Sequence, residues 1–552
     1  MNTDVDTAKH AGGPSALQKY GILLMGIFLI MLSGGRFVTP VAAFLAPVFL
    51  LRYTRNTSVK TGMAILFVLL FLSLLVRLHD YLAVPRPLNM LLIAGFAALE
   101  LVPFFVDRTL REYLPRFLRP LVLPTVFVVL GFVLSPLMPF GSMWEKAYSQ
   151  SGNSELMQLL AITGTHGLTF VIFWFAATMA SLWDAGFVWQ RNRSQVMPMM
   201  LCVMIVFVIG GFRIIFDKNQ SQTVRIAGVV VDQTTLKKSL QGAGVMSDFA
   251  GLTGTGVNRE LVDSALEAHL QELYLHTEQL ASLEASIVVW AEASAVIYGC
   301  EAGQFDTAAS ALARSNNITL VASLLCVIEP QTEVEEAALE NKLVVYGPDG
   351  QRLGQYVKTK PLWNKNLVQG DGTPLVIDTP HGKLAFMIGF DADFPNLVRQ
   401  AGDADIAIIP AADWRPLARH HSLMSIFRGV ENGFSIFRPA QEGVSLASDS
   451  HGRILARVDS SRRGPDNFIA DVPTSGMTTP YTTAGEWFGW FASALLFIVL
   501  LVALLASRKR KNYPPPDDPT TPDRMRDRSR ITAIQWREAE RDNNLHRNNR
   551  EK

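Results

Sequence analysis

The sequence predicts two architectures in one chain: a multi-span bundle of membrane helices and a layered α/β domain. Three observations predict them. Apolar residues cluster in membrane-length runs near both ends of the 552 residues, whereas the stretch from about 223 to 475 has an ordinary soluble composition. Positive charge gathers in alternate loops between the apolar runs. Within the soluble stretch, β-branched apolar segments alternate with amphipathic ones. The formal net charge of +1 argues against a nucleic-acid partner, because binding the phosphate backbone needs a cationic surface.

The apolar runs lie at 20–35, 37–51, 61–76, 88–106, 119–138, 157–182, 195–216 and 486–506. A helix needs roughly 20 apolar residues to cross the hydrocarbon core. The first two runs are shorter, so they suit a tight hairpin or one re-entrant unit. Helices buried in a soluble protein are also apolar, but so many consecutive runs argue for a membrane. Arg52, Arg55 and Lys60 follow the second run; Arg108, Arg111, Arg116 and Arg119 follow the fourth. Arg191 and Arg193 follow the sixth, and Arg508, Lys509, Arg510 and Lys511 the eighth. The other loops carry only Arg36, Arg77, Arg86 and Lys146. Lys and Arg stay on the cytoplasmic side. Both termini are therefore expected inside and the large domain outside.

The chain divides accordingly into a cytoplasmic N-terminus (1–19), a transmembrane helical domain of about seven spans (20–216), an outward domain (223–475), a C-terminal span (486–506) and a basic tail (508–552). Residues 1–17 are too polar for a secretory signal, so the first span is expected to be an uncleaved anchor. The tail is Pro-rich and then densely charged, which predicts disorder, with a short helix at 530–540. Of three cysteines, Cys202 lies in a span, while Cys300 and Cys326 fall in the outward domain. Those two are either free thiols or an oxidised pair, and their spacing does not choose. No metal-ligand spacing occurs, and no cofactor is expected.

The outward domain opens with the strand-like TVRIAGVVVD (223–232) and a Gly-rich stretch (241–256). Asn258 can cap a long helix reaching Leu283, with Leu261, Ala265, Leu266, Leu270, Leu273 and Leu280 on one face. SIVVWAE (286–292) and NITLVASLLCVIE (317–329) read as buried strands, and 341–358 as a hairpin around Pro348-Asp349-Gly350. Strand-like runs recur at 375–378, 384–389 and 405–410, followed by a helix at 420–432 and strands at 434–437 and 443–447. Such alternation argues for sheets covered by helices.

The order of these signals resembles the nitrilase, or carbon–nitrogen hydrolase, superfamily. With the membrane runs it resembles the apolipoprotein N-acyltransferase family, which moves an acyl chain from phospholipid to the N-terminal cysteine of a lipoprotein. The resemblance runs from about Tyr148 to the last span. AYSQ (147–150) and THGLTF (165–170) carry it in the membrane part. IVVWAE ending at Glu292, QYVK ending at Lys358, DFP (393–395), Trp414, His421, Arg428 with Glu431, and DSHGRIL (449–455) carry it outside. The resemblance implies an α-β-β-α layered sandwich, membrane phospholipid and lipoproteins as partners, and the bacterial inner membrane as location.

The family's chemistry uses a carboxylate base, a lysine that stabilises the tetrahedral oxyanion, and a cysteine nucleophile. By resemblance Glu292 is the base and Lys358 the oxyanion partner. Trp414, His421 and Glu431 are expected around the substrate. At the turn of KLAFMIGFDADFPNLVRQ (383–400), where the family has its cysteine, this chain has Gly389. No cysteine follows Cys326, so a shifted register does not restore the thiol. Cys300, Asp391 and an activated water are the substitutes to weigh. Other departures accompany the glycine. The segment 361–370 lacks the family's glutamate, Ala411 and Ala412 replace Asn-Asp, and Ala291 replaces a proline. The pattern is that of a lipid- or lipoprotein-binding pseudoenzyme. An acyltransferase or amidase of altered chemistry and a structural membrane protein with an outward interaction domain are the alternatives. Loss of side-chain volume at Gly389 is expected to leave a wide pocket.

Overall fold

The computed structural model describes residues 15–512 except 36, 82–83, 217–221, 246–248, 254–255, 300–302, 329–337, 362–365 and 465. The expectations for the N-terminal 14 residues, for Cys300 and its pairing, and for the tail beyond 512 lie outside the described residues.

The membrane part consists of α1 (Ala16–Met31), α2 (Pro40–Arg55), α3 (Val59–Arg77), α4 (Arg86–Leu110), α5 (Val122–Leu134), α6 (Leu160–Asp184) and α7 (Trp189–Phe216), with the C-terminal helix Trp487–Asn512 packed on α5. Among the described residues, α3, α4, α6, α7 and the C-terminal helix are long and apolar enough to cross a membrane. The protein is an integral membrane protein. Helices α1 and α2 have 16 residues each and form a hairpin through the paired segments Ser33–Gly34 and Phe37–Val38. At 1.5 Å per residue each is only about 24 Å long. Of the two arrangements the short runs allow, this is the hairpin.

Helix α6 starts beside the outward domain and carries 25 residues away from it, about 37 Å. At its far end Asp184 meets Arg55 and Arg111, each at 3.2 Å, and also Arg52. Arg55 grips Asp107 through two 2.9 Å bonds, both side chains being buried. The arginine-rich ends of α2 and α4 thus meet the Asp184 end of α6 opposite the outward domain.

That domain holds two stacked sheets. The first runs in the order β12 (Phe468–Pro473), β1 (Thr223–Val229), β2 (Ile287–Trp290), β3 (Thr319–Ile328), β4 (Ala338–Tyr346), β5 (Arg352–Val357), with the short strand Ala295–Tyr298 also on β3. The second runs β11 (Ile454–Asp459), β10 (Val444–Ser448), β9 (Ser435–Arg438), β8 (Ile406–Ile408), β7 (Gly382–Phe386), β6 (Leu375–Thr379). Each sheet has three central parallel strands, β1-β2-β3 and β7-β8-β9, flanked by antiparallel neighbours. Between the sheets, Ile226, Ile287, Val289 and Val321 meet Phe386, Ile388, Ile408 and Phe437.

The outer face of the first sheet is covered by α9 (Arg259–Ser282) and α10 (Gly303–Ser315), after a short α8 (Gln233–Gly242). The outer face of the second is covered by α11 (Arg415–Asn432). This is the α-β-β-α sandwich. Its core is continuous with the bundle: Ala385, Met387, Phe427 and Val430 belong to one apolar cluster with Leu156, Leu160 and Leu168.

Local details differ from the sequence expectation. The stripe that α9 buries is Val262, Leu266, His269, Leu273, Thr277 and Leu280, spaced by three and four residues, and Leu261 is exposed. His269 and Thr277 are admitted because each has a partner: His269 Nε2 bonds the Ser294 carbonyl at 3.0 Å, and Thr277 accepts the indole N–H of Trp290 at 2.9 Å. Helix α11 begins at Arg415, five residues before the expected start, because Pro416 suits a first helical turn.

Candidate active site

The ends of three strands converge. Glu292 follows β2, Lys358 follows β5, and Gly389 follows β7. At Gly389 the chain turns from strand into a 3-10 turn (Gly389–Asp393) and then the short helix Pro395–Val398. Its φ is +49°, in the left-handed region, and its N–H donates to the Pro410 carbonyl at 2.9 Å. A sharp strand-to-helix turn of this kind can present a nucleophile. A β-carbon built on Gly389 would press on Glu292 Oε2 and lie 3.4 Å from Lys358 Nζ. The three positions singled out from the sequence are therefore neighbours. Ala293, beside the carboxylate, is also left-handed, at φ +53°.

Glu292 and Lys358 are both buried. Lys358 Nζ donates to Glu292 Oε1, which also accepts from Asn341 Nδ2 at 2.8 Å. Glu292 Oε2 accepts the Ala412 N–H at 2.9 Å. The carboxylate thus reaches into the space a side chain at 389 would take. This corrects the expectation of a wide pocket: Glu292, Lys358 and Gly389 line none of the described cavities. The largest, of about 760 Å³, begins next door at Thr359 and Lys360. It runs between sandwich and bundle, bordered by Phe394, Leu397 and Arg399 on one side and Phe132, His166 and Trp490 on the other.

Asp391 is not poised as a substitute nucleophile. Its carboxylate accepts from Tyr356 Oη (2.7 Å), Lys360 N (2.6 Å), Thr359 N (3.3 Å) and Ile388 N (3.3 Å). It clips the Gly389 turn to the segment after Lys358. Burial pushes its carboxyl up to about 6, against the pull of Lys358.

Trp414 and His421 pack against Phe390, next to Gly389, and Glu431 lies at the bundle interface. His421 lies between two carboxylates, with Nδ1 2.6 Å from Asp413 and Nε2 3.2 Å from Asp393. Burial alone would lower its pKa; the Asp393 and Asp413 charges raise it to about 9. Arg438 grips Asp413 at 2.9 and 3.1 Å. Burial opposes charge on Asp413, but Arg438 and His421 hold it well below the usual carboxylate range. Trp414 stacks on Phe390 and donates its indole N–H to the Asp80 and Tyr81 carbonyls, both at 3.2 Å, in the loop between α3 and α4. Glu431 is fully buried. It accepts from Arg428 Nη2 (3.0 Å) and from the Thr165 N–H (3.1 Å). That N–H is freed where α6 breaks at Gly164, φ +62°. Arg428 in turn donates to Tyr148 Oη at 3.1 Å. Burial raises the Glu431 carboxyl to about 7, with Arg428 opposing. His421, Trp414 and Glu431 hold the sandwich together and to the bundle.

Asn341, Asp391 and Asp413 were not among the candidate site residues in these roles. Hairpin register alone could have found Asn341, had it not been displaced. Pairing Tyr346 with Arg352 puts Val357 opposite Asn341, but a bulge between Val345 and Tyr346 shifts the partner to Lys358.

Two family models match the chain: the apolipoprotein N-acyltransferase N-terminal domain over residues 26–178, and carbon-nitrogen hydrolase over 255–479. The apolipoprotein N-acyltransferases of Rickettsia prowazekii and Rickettsia typhi are each 23% identical over 373 residues, covering 63% of this chain and 68% of the relative. That of Geobacter metallireducens is 23% identical over 360 residues, covering 59% and 62%. Among solved structures, an amidase from Nesterenkonia sp. is 17% identical, covers 49% of this chain and 97% of its own, and superposes with a TM-score of 0.37. With both domain models matched in order on an apolar helical bundle and an α-β-β-α sandwich, the chain belongs to the apolipoprotein N-acyltransferase family.

Proposed function

We propose that this protein is a lipid- or lipoprotein-binding member of its family that does not form a covalent acyl-enzyme. The observation that carries the reading is Gly389. Its missing side chain would stand against both a carboxylate and an ammonium, yet the residue has no atom to attack a carbonyl. In the family's chemistry Glu292 takes the nucleophile's proton and Lys358 faces the oxyanion. Here the two neutralise each other and take further bonds from Asn341 and Ala412. The pair is left without a thiol to activate. The named relatives, which are apolipoprotein N-acyltransferases, support an acyl lipid or a lipoprotein as what is bound. The cleft between sandwich and bundle, mixing Phe132, Phe394 and Trp490 with Lys360 and Arg399, suits an acyl chain with an anionic head. The arginine-rich bundle ends opposite the sandwich support an outward sandwich and cytoplasmic termini in a bacterial inner membrane.

The test is incubation of the purified full chain with radiolabelled phospholipid and a diacylated lipoprotein peptide. Retained lipid without hydroxylamine-sensitive label and without N-acylated peptide is expected. Label mapped to any residue of the unmodified protein would overturn the reading.

A further inference from the structure

We propose a second anion site, for a phosphate group, in the cleft formed by Arg415, Arg419, Arg457, Asp459, Ser461 and Arg462. The cleft has a volume of about 380 Å³ and shares no residue with the cavity beside Lys360 or with the Glu292–Lys358 pair. Four guanidinium groups against one carboxylate leave a net charge of +3 (4 − 1) around one space. The carboxylate is partly engaged already, with Asp459 Oδ2 3.7 Å from Arg462 Nε.

Two features argue that this crowding serves a ligand and not the fold. Arg415 and Arg419 lie one turn apart at the start of α11, which has no acidic residue in its first turn. The helix dipole is positive there, and like charges four residues apart repel, so both placements are destabilising when the cleft is empty. Arg457, exposed at the rim of the cleft on β11, is disfavoured as a cation first by partial desolvation and then by Arg419, with Arg462 adding and Asp459 opposing. An anion bridging these groups relieves all of these terms at once.

The site is also built. Arg415 Nε and Nη2 are tied to the Ser461 carbonyl at 3.1 and 3.0 Å, which orients its plane. Guanidinium forks match tetrahedral phosphate oxygens in paired bonds, and a dianion offsets two of the three excess charges. The space exceeds a bare phosphate, so a phosphate ester fits best. Arg453, at the start of the same strand segment, donates to the Ile214 carbonyl near the end of α7 at 2.9 Å. Arg457 is four residues further along, about 13 Å. The cleft is therefore near the bundle surface, and the phosphate comes either from a lipid headgroup or from a soluble ester.

The test uses the full chain in neutral detergent at low salt, because exposed charges are screened as salt rises. Pyrophosphate binding is followed by calorimetry, and retained phosphatidylglycerol against phosphatidylcholine by native mass spectrometry. The comparison is with Arg419→Ala/Arg457→Ala, and with Lys383→Ala as a control at a distant exposed lysine. Both arginines are exposed and repel their neighbours in the empty cleft, so the double variant should melt no lower than the parent. The expected result is an affinity at least about tenfold weaker in the double variant only, in one or both arms; tenfold corresponds to about 1.4 kcal/mol. Loss of pyrophosphate binding alone assigns a soluble phosphate ester, and loss of phosphatidylglycerol preference alone assigns a headgroup. If parent and double variant behave alike in both arms, or Lys383→Ala weakens binding as much, the proposal fails.

Discussion

The Glu292–Lys358 pair and the Glu431–Arg428 pair are both buried, both join a carboxylate to a cation, and both stand beside a left-handed glycine. They differ in what fills the glycine's empty place. At Gly164, beside Glu431, a β-carbon would meet the Tyr481 ring at 2.6 Å. At Gly389 it would meet the ion pair itself. A glycine closed by a ring is a packing solution. A glycine closed by two ionisable groups is a position where a side chain would be acted upon. The partners differ in the same sense. Glu431 and Arg428 spend their bonds on Thr165 and Tyr148 of the bundle, whereas the Glu292 bonds stay within the sandwich. Buried ion pairing alone therefore does not mark a catalytic corner.

The strongest way to break this comparison is to cut the interface pair on one side and to remove both partners of the site pair. Arg428→Ala leaves Glu431 buried without its cation, and a loss of about 3–5 kcal/mol is expected. Removing both charges of the other pair, in Glu292→Gln/Lys358→Met, is expected to be neutral or stabilising by about 1–4 kcal/mol, as for other buried pairs replaced together. Thermal unfolding in detergent measures both. An Arg428→Ala variant as stable as the parent would mean that the interface corner does not hold the two halves together.

Proton uptake offers the next contrast. Asp391 at the site corner and Glu431 at the interface corner are raised by burial, to about 6 and about 7. A carboxyl whose folded pKa lies above its unfolded value stabilises fully below the unfolded pKa and loses that contribution as pH rises through the folded one. Stability is thus expected to fall from about pH 4.5 to 7, by at most about 1.4 kcal/mol per pH unit for each group. Asp413 works in the opposite sense in acid below that window, and His420, pushed down to about 4 by burial, works in the opposite sense between about pH 4 and 6.5 and offsets about one of the two carboxyls there. Above it, His421 adds a further loss as pH rises from 6.5 through about 9. Asp391→Asn should flatten the segment near pH 6, and Glu431→Gln the segment near pH 7. Variant profiles that match the parent's in those two segments contradict the assignments.

What was legible in the sequence follows the same division. The family resemblance named Glu292, Lys358 and Gly389, β-branched runs placed each at a strand end, and the three do meet. The groups that close the site were not readable, because each depends on tertiary register. Lys358 comes opposite Asn341 only through a bulge, Ala412 offers a backbone N–H, and Asp413 matters through Arg438, twenty-five residues on. The bundle partner of Glu431 was not readable for a related reason. The break at Gly164 that frees the Thr165 N–H is invisible in an apolar run that otherwise reads as continuous helix.

Filling the glycine is a smaller perturbation. In Gly389→Cys the left-handed backbone costs about 1–2 kcal/mol, and the new β-carbon must push the Glu292 carboxylate aside. A total loss of about 1–3 kcal/mol is expected, in the range of overpacked cores. Gly389→Ala should lose the same amount, since the penalty comes from the β-carbon. Only the cysteine variant can gain a slow hydroxylamine-sensitive acyl label. If Gly389→Ala is neutral, the corner is open and the closed geometry is wrong.

The smallest expected effect lies at Trp414, which touches both corners: it follows Asp413, stacks on Phe390 beside the Gly389 turn, and hydrogen-bonds the Asp80 and Tyr81 carbonyls of the bundle. Trp414→Phe keeps an aromatic face against Phe390 and removes only the shared N–H. Trp414 is partly exposed, so water can replace that donor at the two carbonyls. A net loss of about 1 kcal/mol is expected, the ordinary worth of one hydrogen bond. Because the bond crosses from sandwich to bundle, its loss should act locally, as faster proteolysis in the loop around residues 78–85, with little change at the Glu292 corner. Deeper destabilisation than Arg428→Ala would move the main tie between the two halves from Glu431 to Trp414 and reverse the ranking drawn from burial.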